Sequence, residues 1–431
     1  MKRLWIPATA AVVFGCFGLA FVAGCVVSDG IHFVTNVGQA EKAERTDTLP
    51  LKLAEGGTLA IDLSHGDVVV HADAGGEPRV VAKITAYGKT TDAAQLDLDA
   101  TKLVVEETSA GARLHLAGEP VERRSSGLTT IMRPSADLEL HVPKDVHFTV
   151  ALGSGDIRTH GPIGASRLKS SYGDVQVESV TGDLELDSSS GKVELGGASG
   201  AKRVTLHSSY GDLAAQHVEA DEVQLDSSSG TVRLADSSGK RIELRSSYGD
   251  VSARHVAGEL VAKTSSGDVK VEDLRGATAT LTSGYGDVLL DGFQGDLSAS
   301  TSSGTVAVKG FTGTCELKSS YGDVRAEGRI DRLQARSNSG SVRVRALSGS
   351  TLEGDWKLAS GYGDVELMVP AGLSFELVAK TGYGSLDVQV PVTVPAGGFK
   401  NERKLEGRVG DGGKRIELTT SSGNVRLGTQ P

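Results

Sequence analysis

The sequence contains eight tyrosines, and each of them is followed directly by glycine. Six of them recur at nearly even intervals, at Tyr172, Tyr210, Tyr248, Tyr285, Tyr321 and Tyr362. A row of exposed aromatic rings at a fixed spacing can stack on sugar rings or on peptide side chains. The favoured interpretation is structural, because a serine takes the same place midway between successive tyrosines and would leave room for a packed ring. These serines are Ser190, Ser229, Ser266, Ser303 and Ser339.

Aspartates recur beside the same glycines, at Asp174, Asp212, Asp250, Asp287, Asp323 and Asp364. The favoured interpretation is that each carboxylate accepts hydrogen bonds from amides of the turn. A spacing of two coils between like charges also keeps their repulsion weak and screened. A calcium ladder is the alternative, but the glycine-rich nonapeptide with fixed aspartate spacing is absent. We therefore predict no metal and no cofactor.

Enzyme motifs are scarce in the sequence. It has no Gly-x-Ser-x-Gly elbow and no His-Glu-x-x-His motif, and the ten histidines lack metal-ligand spacing, among them His207, His217 and His255. Paired carboxylates of the kind that cleave polysaccharides remain an alternative, since the repeat supplies many aspartates. Such an enzyme would need a cleft formed by an insertion, and the segments 118–135 and 392–404 are the candidates for it. We predict no catalytic residue.

The tyrosines and aspartates are carried by a repeat. The hexapeptide Ser-Ser-Tyr-Gly-Asp-Val first occurs whole at Ser170–Val175. Its Gly-x-Val step recurs every 18 to 20 residues from Gly155 to Gly340, with Ile157 and Leu213 in place of the valine in two steps. Between these steps, short runs place apolar residues at i and i+2, which is typical of strands with one buried face. The glycine would supply either a positive φ or a close approach at the corner. The pattern predicts an all-β fold, a single-stranded parallel β-helix (β-solenoid) with coils of about 18–19 residues.

The ends of the chain are less regular than its middle. The sequence predicts one or two helical turns at residues 91–99, a long loop at 118–135 and the closing coil of the solenoid at 415–427. Irregular ends suit a solenoid, because bare terminal strands would otherwise pair with other chains. The predicted segments are a signal peptide at 1–24, a tether at 25–47, an irregular N-terminal β cap at 48–150, the regular solenoid at 151–370, and C-terminal coils with inserted loops at 371–431.

The N-terminus has the features of an export signal. Met1-Lys2-Arg3 precedes an apolar run that ends at Val22-Ala23-Gly24-Cys25. The last four residues resemble the bacterial lipoprotein signal box, which implies a lipid on Cys25 and a membrane anchor. A plain signal peptide and an N-terminal membrane helix are the alternatives. By resemblance to the proteobacterial sorting pattern, Val26 favours the outer membrane.

Only Cys315 would then remain as a free thiol, and its place in Cys315-Glu316-Leu317 predicts a buried small side chain. The formal net charge of −10 comes without a compensating basic stripe, which argues against a nucleic-acid partner.

Over residues 50–430 the chain resembles the bacterial "putative adhesin" β-strand-repeat family. The resemblance rests on Val142-Pro143-Lys144, on Ser154–Ile157 and on the repeated Gly-Asp-Val steps. It implies a single-stranded parallel β-helix and brings no catalytic residues. The expected function is that of a lipid-anchored, non-enzymatic adhesion or interaction module of the cell envelope. Its partner would be a glycan or a protein surface, and we expect a monomer. A carbohydrate-active β-helix enzyme and a purely structural spacer are the alternatives.

Overall fold

The computed structural model describes residues 41–72, 75–118, 121–125, 128–394 and 400–430. They belong to one compact unit, which is an all-β parallel solenoid of about 12 turns. The predicted signal peptide, Cys25 and most of the predicted tether lie outside the described residues. Within the described ranges, no helix is long and apolar enough to cross a membrane.

The N-terminal cap contains the only helix of the described residues. Its elements are β1 Glu41–Pro50, β2 Thr58–His65, β3 Val68–Ala72, β4 Arg79–Gly88, α1 Thr91–Ala100, β5 Lys102–Thr108, β6 Gly111–Ala117, β7 Val121–Ser125, β8 Leu128–Met132 and β9 Ser135–Val142. The predicted helical turns are confirmed by α1. Strand β1 begins at Glu41, inside the segment predicted as a tether, and the predicted loop at 118–135 is wrong because it contains the antiparallel hairpin β7–β8.

The regular body follows the cap. Its strands are β10 His147–Ser154, β11 Ile157–Ile163, β12 Ser166–Ser170, β13 Val175–Thr181, β14 Leu184–Ser188, β15 Val193–Leu195, β16 Ala198–Ser208, β17 Leu213–Gln216, β18 Val218–Ser227, β19 Val232–Ser246, β20 Val251–Thr264, β21 Val269–Ser283, β22 Val288–Thr301, β23 Val306–Ser319, β24 Val324–Ser337 and β25 Val342–Ala346. The C-terminal elements are β26 Trp356–Ser360, β27 Val365–Val369, β28 Phe375–Thr381, β29 Leu386–Val388, β30 Lys400–Asn401, β31 Lys404–Val409, β32 Arg415–Thr420 and β33 Val425–Thr429.

Each coil in the middle of the body is one long strand followed by a four-residue corner. In β19, Val232 and Leu234 face the interior, while Arg233 between them faces solvent. A register shift near Ser238 separates this run from a second run around Ile242 and Leu244. The two predicted alternating runs per coil are thus confirmed, joined here by a β-bulge.

Successive coils stack in parallel and in register. The valine that follows each corner lies directly over the valine of the preceding coil, so that Val232, Val251, Val269, Val288 and Val306 form one continuous row with no exposed surface. A single coil cannot bury its inner face, whereas a stack buries every inward side chain. The core therefore runs along the solenoid as one apolar column.

The first strands of the chain are not the first in space. β2 and β3 pair with β10 and β11 on one side and with β6 and β9 on the other. The antiparallel strands β4 and β1 then extend the end coil beyond β9. Helix α1 buries Ala94 and Leu98, and Arg45 of β1 donates to the carbonyls of Leu98 and Thr101 at 3.1 and 2.9 Å.

The C-terminal end repeats this arrangement. β32 pairs with β26 on one side and β28 on the other, and β33 lies between β27 and β29. The predicted closing coil at 415–427 is therefore second from the end, and the outermost coil is β28–β29. The antiparallel strand β31 covers the outer edge of β28. At both ends of the solenoid, a coil that comes first or last in sequence thus lies between two other coils. This coil is β2–β3 at the N-terminal end and β32–β33 at the C-terminal end.

Candidate functional site

The corners that carry the tyrosines begin with a buried hydroxyl. Ser227 is only 1% exposed, and its Oγ donates to the carbonyl of Gly211 at 3.0 Å while accepting from the amide of Gly230 at 2.9 Å. This one hydroxyl ties its own corner shut and ties it to the preceding coil. The same pair of bonds is made by Ser188, Ser208, Ser246, Thr264, Ser283, Thr301, Ser319, Ser337, Ser360, Thr381 and Thr420.

We expect Ser227→Ala to destabilise the protein by about 1–3 kcal/mol, because the amide of Gly230 would lose its partner in a buried corner. Ser227→Thr is the matched control and should leave stability nearly unchanged, since Thr264 and Thr301 make the same bonds in their own corners. Urea unfolding of the three proteins measures the difference. Equal losses in both variants would contradict the role assigned to the hydroxyl.

The corner glycine is required by close approach between coils. A Cβ on Gly249 would lie 2.2 Å from the carbonyl oxygen of Gly230, and a Cβ on Gly267 would lie 2.3 Å from that of Gly249. Neither glycine has a positive φ. Of the two reasons that the sequence left open, close approach is therefore the one that operates at these corners, whereas Gly155 at the start of the body combines close approach with a positive φ.

The aspartate after each glycine bonds to the next coil. Asp174 Oδ1 accepts from the amide of Lys192 at 2.8 Å, and Asp250 Oδ1 accepts from the amide of Asp268 at 2.8 Å. The predicted bonding of aspartate to corner amides is thus confirmed, and it links neighbouring coils. Burial alone would raise the pKa of Asp323, but the Ser341 amide together with the Arg325 and Arg343 side chains holds that pKa below its usual value. No cluster in the described part of the chain could hold a metal ion.

The tyrosine rings point away from the core. The side chains of the six predicted tyrosines are all between 70% and 73% exposed, which rules out the packed-ladder interpretation. Those residues are Tyr172, Tyr210, Tyr248, Tyr285, Tyr321 and Tyr362. Tyr383 is exposed as well, at 82%, and the Arg403 guanidinium lies 6.0 Å from its ring centroid. Tyr87 is half-buried in β4 and lies apart from these corners.

Backbone hydrogen bonds fix which residues lie between the rings. The amide of Tyr248 donates to the backbone carbonyl of Ser228, and the amide of Ser266 donates to that of Ser247. These bonds place Tyr248 directly between Ser229 of the preceding coil and Ser266 of the following coil. The alternation of tyrosine and serine predicted from the sequence is therefore real in space. Successive rings stand two coils apart, which at the spacing of β-strands is about 9.6 Å. We call this line of exposed rings the tyrosine row.

The alternation continues through both rearranged ends. The amide of Ser422 donates to the backbone carbonyl of Gly361, and the amide of Tyr383 donates to that of Ser421. Ser422, from the last coil of the sequence, therefore separates Tyr362 from Tyr383. At the other end Ser154 pairs with His65, which places an exposed imidazole in the next aromatic position. Sequence reasoning missed His65 and Ser422, because their coils are out of order along the chain.

A second feature that sequence reasoning missed is a stack of three imidazoles on another face. The ring centroid of His71 lies 5.2 Å from that of His141 and 5.3 Å from that of His160. Glu139 Oε1 lies 3.4 Å from His71 Nε2 and 3.3 Å from His141 Nε2. These residues are far apart in sequence, so that only the pairing of β9, β3 and β11 brings them together. His255, singled out from the sequence, pairs with Asp236 and Asp273 instead.

A cavity of about 490 Å³ lies beside Gly118, Arg133 and Pro134, at the two ends of the segment 118–135 that the enzyme alternative named as an insertion. Its lining includes the carboxylates of Asp62 and Glu106 and the guanidinium groups of Arg113 and Arg133. Arg113 lies 3.7 Å from Asp62, so this carboxylate already has a cationic partner. The enzyme alternative predicted a cleft near this insertion over solenoid carboxylates, and this cavity is the place that fits it.

Cys315 is 1% exposed at an inward position of β23, as predicted. Burial raises the pKa of its thiol to about 12, so the group stays protonated and unreactive at neutral pH.

One family model matches nearly the whole described chain. It is described as Toastrack DUF4097 and matches residues 57–257, 182–294 and 255–428. The match confirms the resemblance found in the sequence, and the family is a domain of unknown function. No curated protein matches the chain.

Solved structures that are similar to the chain include the following two. One, described as a "putative cell adhesion protein" from Clostridium sporogenes, is 8% identical, with 90% of this chain and 100% of that chain covered and a TM-score of 0.18. The other, a "Putative lipid binding protein" from Parabacteroides distasonis, is 13% identical, with 77% and 98% covered and a TM-score of 0.26. At these scores neither similarity carries an argument.

Proposed function

The chain belongs to the Toastrack DUF4097 family, and from that premise we propose that it is a non-enzymatic interaction module whose binding surface is the tyrosine row. The observation that carries the proposal is the exposure of seven tyrosines on one line of corners, from Tyr172 to Tyr383. An exposed aromatic ring gains free energy when it is covered, and its hydroxyl can still bond to a polar ligand. The regular solenoid holds these rings at fixed positions, which lowers the entropic cost of binding an extended ligand.

We propose further that the protein works in the cell envelope, held to the outer membrane by a lipid on Cys25. This part of the proposal rests on the Val22-Ala23-Gly24-Cys25 sequence, and the choice of the outer membrane rests on Val26. The ligand would then be a glycan or protein displayed at that surface. Mass spectrometry of the protein extracted from membranes tests the anchor, since Cys25→Ser should remove the acyl mass and release the protein into the soluble fraction.

The binding proposal is tested with Tyr210→Ser, Tyr248→Ser and Tyr285→Ser combined in one chain. Serine already occupies the alternate corners, so the fold should tolerate all three changes. We expect the affinity for immobilised envelope glycans and envelope proteins to fall at least about tenfold, because three adjacent rings of the surface are lost. Leu96→Ser is the matched control, since Leu96 is an equally exposed apolar side chain on α1, outside the row.

Three outcomes would contradict the proposal. Unchanged binding by the triple variant would show that these three tyrosines are not part of the binding surface. An equal loss in Leu96→Ser would mean that general surface hydrophobicity, not the row, drives adhesion. Absence of any ligand for the unaltered protein would favour a structural spacer.

A carbohydrate-active enzyme is the second candidate, and the cavity beside Asp62 and Glu106 is the observation that favours it. Two carboxylates facing one cavity are the minimum that glycoside hydrolysis requires. Incubation of the protein with the same glycans tests the enzyme hypothesis, and the release of new reducing ends is measured over time. If the unaltered protein cleaves these glycans and the Asp62→Asn and Glu106→Gln variants do not, the protein is an enzyme and the proposal of a non-enzymatic interaction module is wrong.

A further inference from the structure

We propose that the partner of the tyrosine row is the same row on a second copy of the chain, with the rings of the two copies interdigitated. This inference rests on the proposed function, because it takes the row as the binding surface and names its ligand. It also replaces the monomer expected from the sequence. Four features of the row carry it: the spacing of the rings, the small residues between them, the persistence of the alternation, and the charges on either side.

The spacing leaves a slot of one ring between successive tyrosines. Neighbouring rings stand about 9.6 Å apart, too far to stack on each other, since aromatic pairs prefer centroid separations of about 4.5–7 Å. A ring inserted midway would lie about 4.8 Å from both neighbours, inside that range. Tyrosine on every coil would have filled these positions within one chain, whereas the alternation with serine keeps them vacant.

Nothing bulky stands in the slots. The residue before each aromatic or serine position is itself small in every coil of the row, and no charged side chain occurs there. Along the row these residues are Ser171, Ser189, Ser209, Ser228, Ser247, Ser265, Gly284, Ser302, Ser320, Asn338, Gly361, Ser421 and Gly382.

A partner that engages the whole row must share its repeat. A ligand with a different period would lose register after a few rings, while a second solenoid has the same strand spacing and the same alternation. The alternation also survives where Ser422 and Tyr383 come from coils that are exchanged in order. A simple sequence period would not ensure that, so the pattern reflects a requirement of the assembled surface.

Charges lie on opposite sides of the row. From Tyr248 to the C-terminal end, the column of residues two places after each tyrosine or serine of the row carries only negative charges. The column three places before carries only positive ones, and the remaining positions of these two columns are uncharged. We call these two columns the negative side and the positive side of the row. The negative side holds Asp250, Asp268, Asp287, Asp323 and Asp364. The positive side holds the exposed residues Arg245, Lys263, Lys318, Arg336 and Lys380. Asp323 also pairs with Arg325 and Arg343 of its own chain.

These charges select one orientation. Two copies that face each other with parallel solenoid axes place the negative side of one opposite the positive side of the other. Antiparallel axes that bring the two segments from Tyr248 onward together would oppose like charges, which is unfavourable. A parallel pair shifted by one coil brings each tyrosine over a serine of its partner. The inferred assembly is therefore a parallel dimer staggered by one coil.

Sedimentation velocity of the full chain over a range of protein and salt concentrations tests the dimer. The unaltered protein should dimerise, and its dissociation constant should rise with salt as the charged sides are screened. The variant that combines Tyr210→Ser, Tyr248→Ser and Tyr285→Ser should bind itself at least about tenfold more weakly, because it lacks three interdigitating rings. Thermal melting verifies that each variant is folded.

The decisive variant combines Ser229→Tyr, Ser266→Tyr and Ser303→Tyr, which fills three slots and adds aromatic surface. Interdigitation predicts that it dimerises at least about tenfold more weakly. Equal or stronger self-association would overturn the inference, because it would show general aromatic attraction. A monomer at every concentration would overturn it as well, and in that case loss of glycan or protein binding in the Tyr→Ser variant would leave the proposed function standing. Failure of both experiments would remove both proposals.

Discussion

Gly249→Ala is expected to destabilise the solenoid by about 3 kcal/mol or more, at the upper end of the cost of overpacking. The added Cβ would lie 2.2 Å from the carbonyl oxygen of Gly230, and this oxygen belongs to backbone that Ser246 holds in place. No side chain can rotate to relieve the contact, so two coils must separate at the corner. Because the coils stack in register, the separation would also disturb the corners above and below. Urea unfolding followed by circular dichroism measures the loss.

Gly75→Ala is the matched control for this change. A Cβ at Gly75 would meet nothing within 4 Å, and Gly75 has no positive φ, so its replacement should change stability by less than about 0.5 kcal/mol. If Gly249→Ala were as mild as Gly75→Ala, the coils would not be held as closely at the corner as the structure indicates. The result bears on the binding surface too, since Gly249 fixes the backbone under Tyr248.

The regular part of the fold was predictable because its signals are local. Alternating apolar residues such as Val232 and Leu234 define the buried face of a strand, and the recurring glycine marks each corner. The hydroxyl that closes the corner could have been found by the same means. From Ser170 onward only serine and threonine occupy that position, as in Ser227 and Thr264, and these two residues share little besides a γ-hydroxyl.

The order of the end coils was not predictable from local pattern. Parallel strands of one solenoid have the same alternation and nearly the same length, so the sequence of β32 does not tell whether it follows β28 or is inserted before it. For the same reason His65 could not be assigned to the tyrosine row, although its residue type fits. Long-range pairing decides both cases, and it is visible only in the register of Ser154 with His65 and of Leu418 with Leu358 and Ala379.

The orientation of the tyrosines was undecided for a different reason. A corner residue followed by glycine can turn inward or outward without any change in the pattern of the flanking strands. The serine between successive tyrosines fitted both a packed ladder and an exposed row. Exposure of about 70% at Tyr210 and Tyr248 decides for the exposed row, so the slots between the rings are open to a partner.

Ending the chain after Gly413 is expected to destabilise the C-terminal third of the solenoid by at least about 6 kcal/mol. The truncation removes Ile416, Leu418, Val425 and Leu427, all fully buried, and burial of each contributes about 1.5–3 kcal/mol. The truncation also removes the coil β32–β33, which lies between the coils β26–β27 and β28–β29. Strands β26 and β27 lose their partners on one side, and β28 and β29 lose their only parallel partners. Hydrogen exchange read peptide by peptide measures where protection disappears.

The position of the loss distinguishes two arrangements of the end. If β32–β33 lies between its neighbours, protection must fall on both sides, in Trp356–Val369 as well as in Phe375–Val388. If the coils followed sequence order, only Phe375–Val388 would lose protection, and Trp356–Val369 would keep its partner. Removal of Gln430 and Pro431 alone is the control, and it should cost only the bonds that Gln430 makes to Val369 and Ala346. Because the inserted coil carries Ser422, the truncation should also remove the slot between Tyr362 and Tyr383 and weaken self-association at that end of the row.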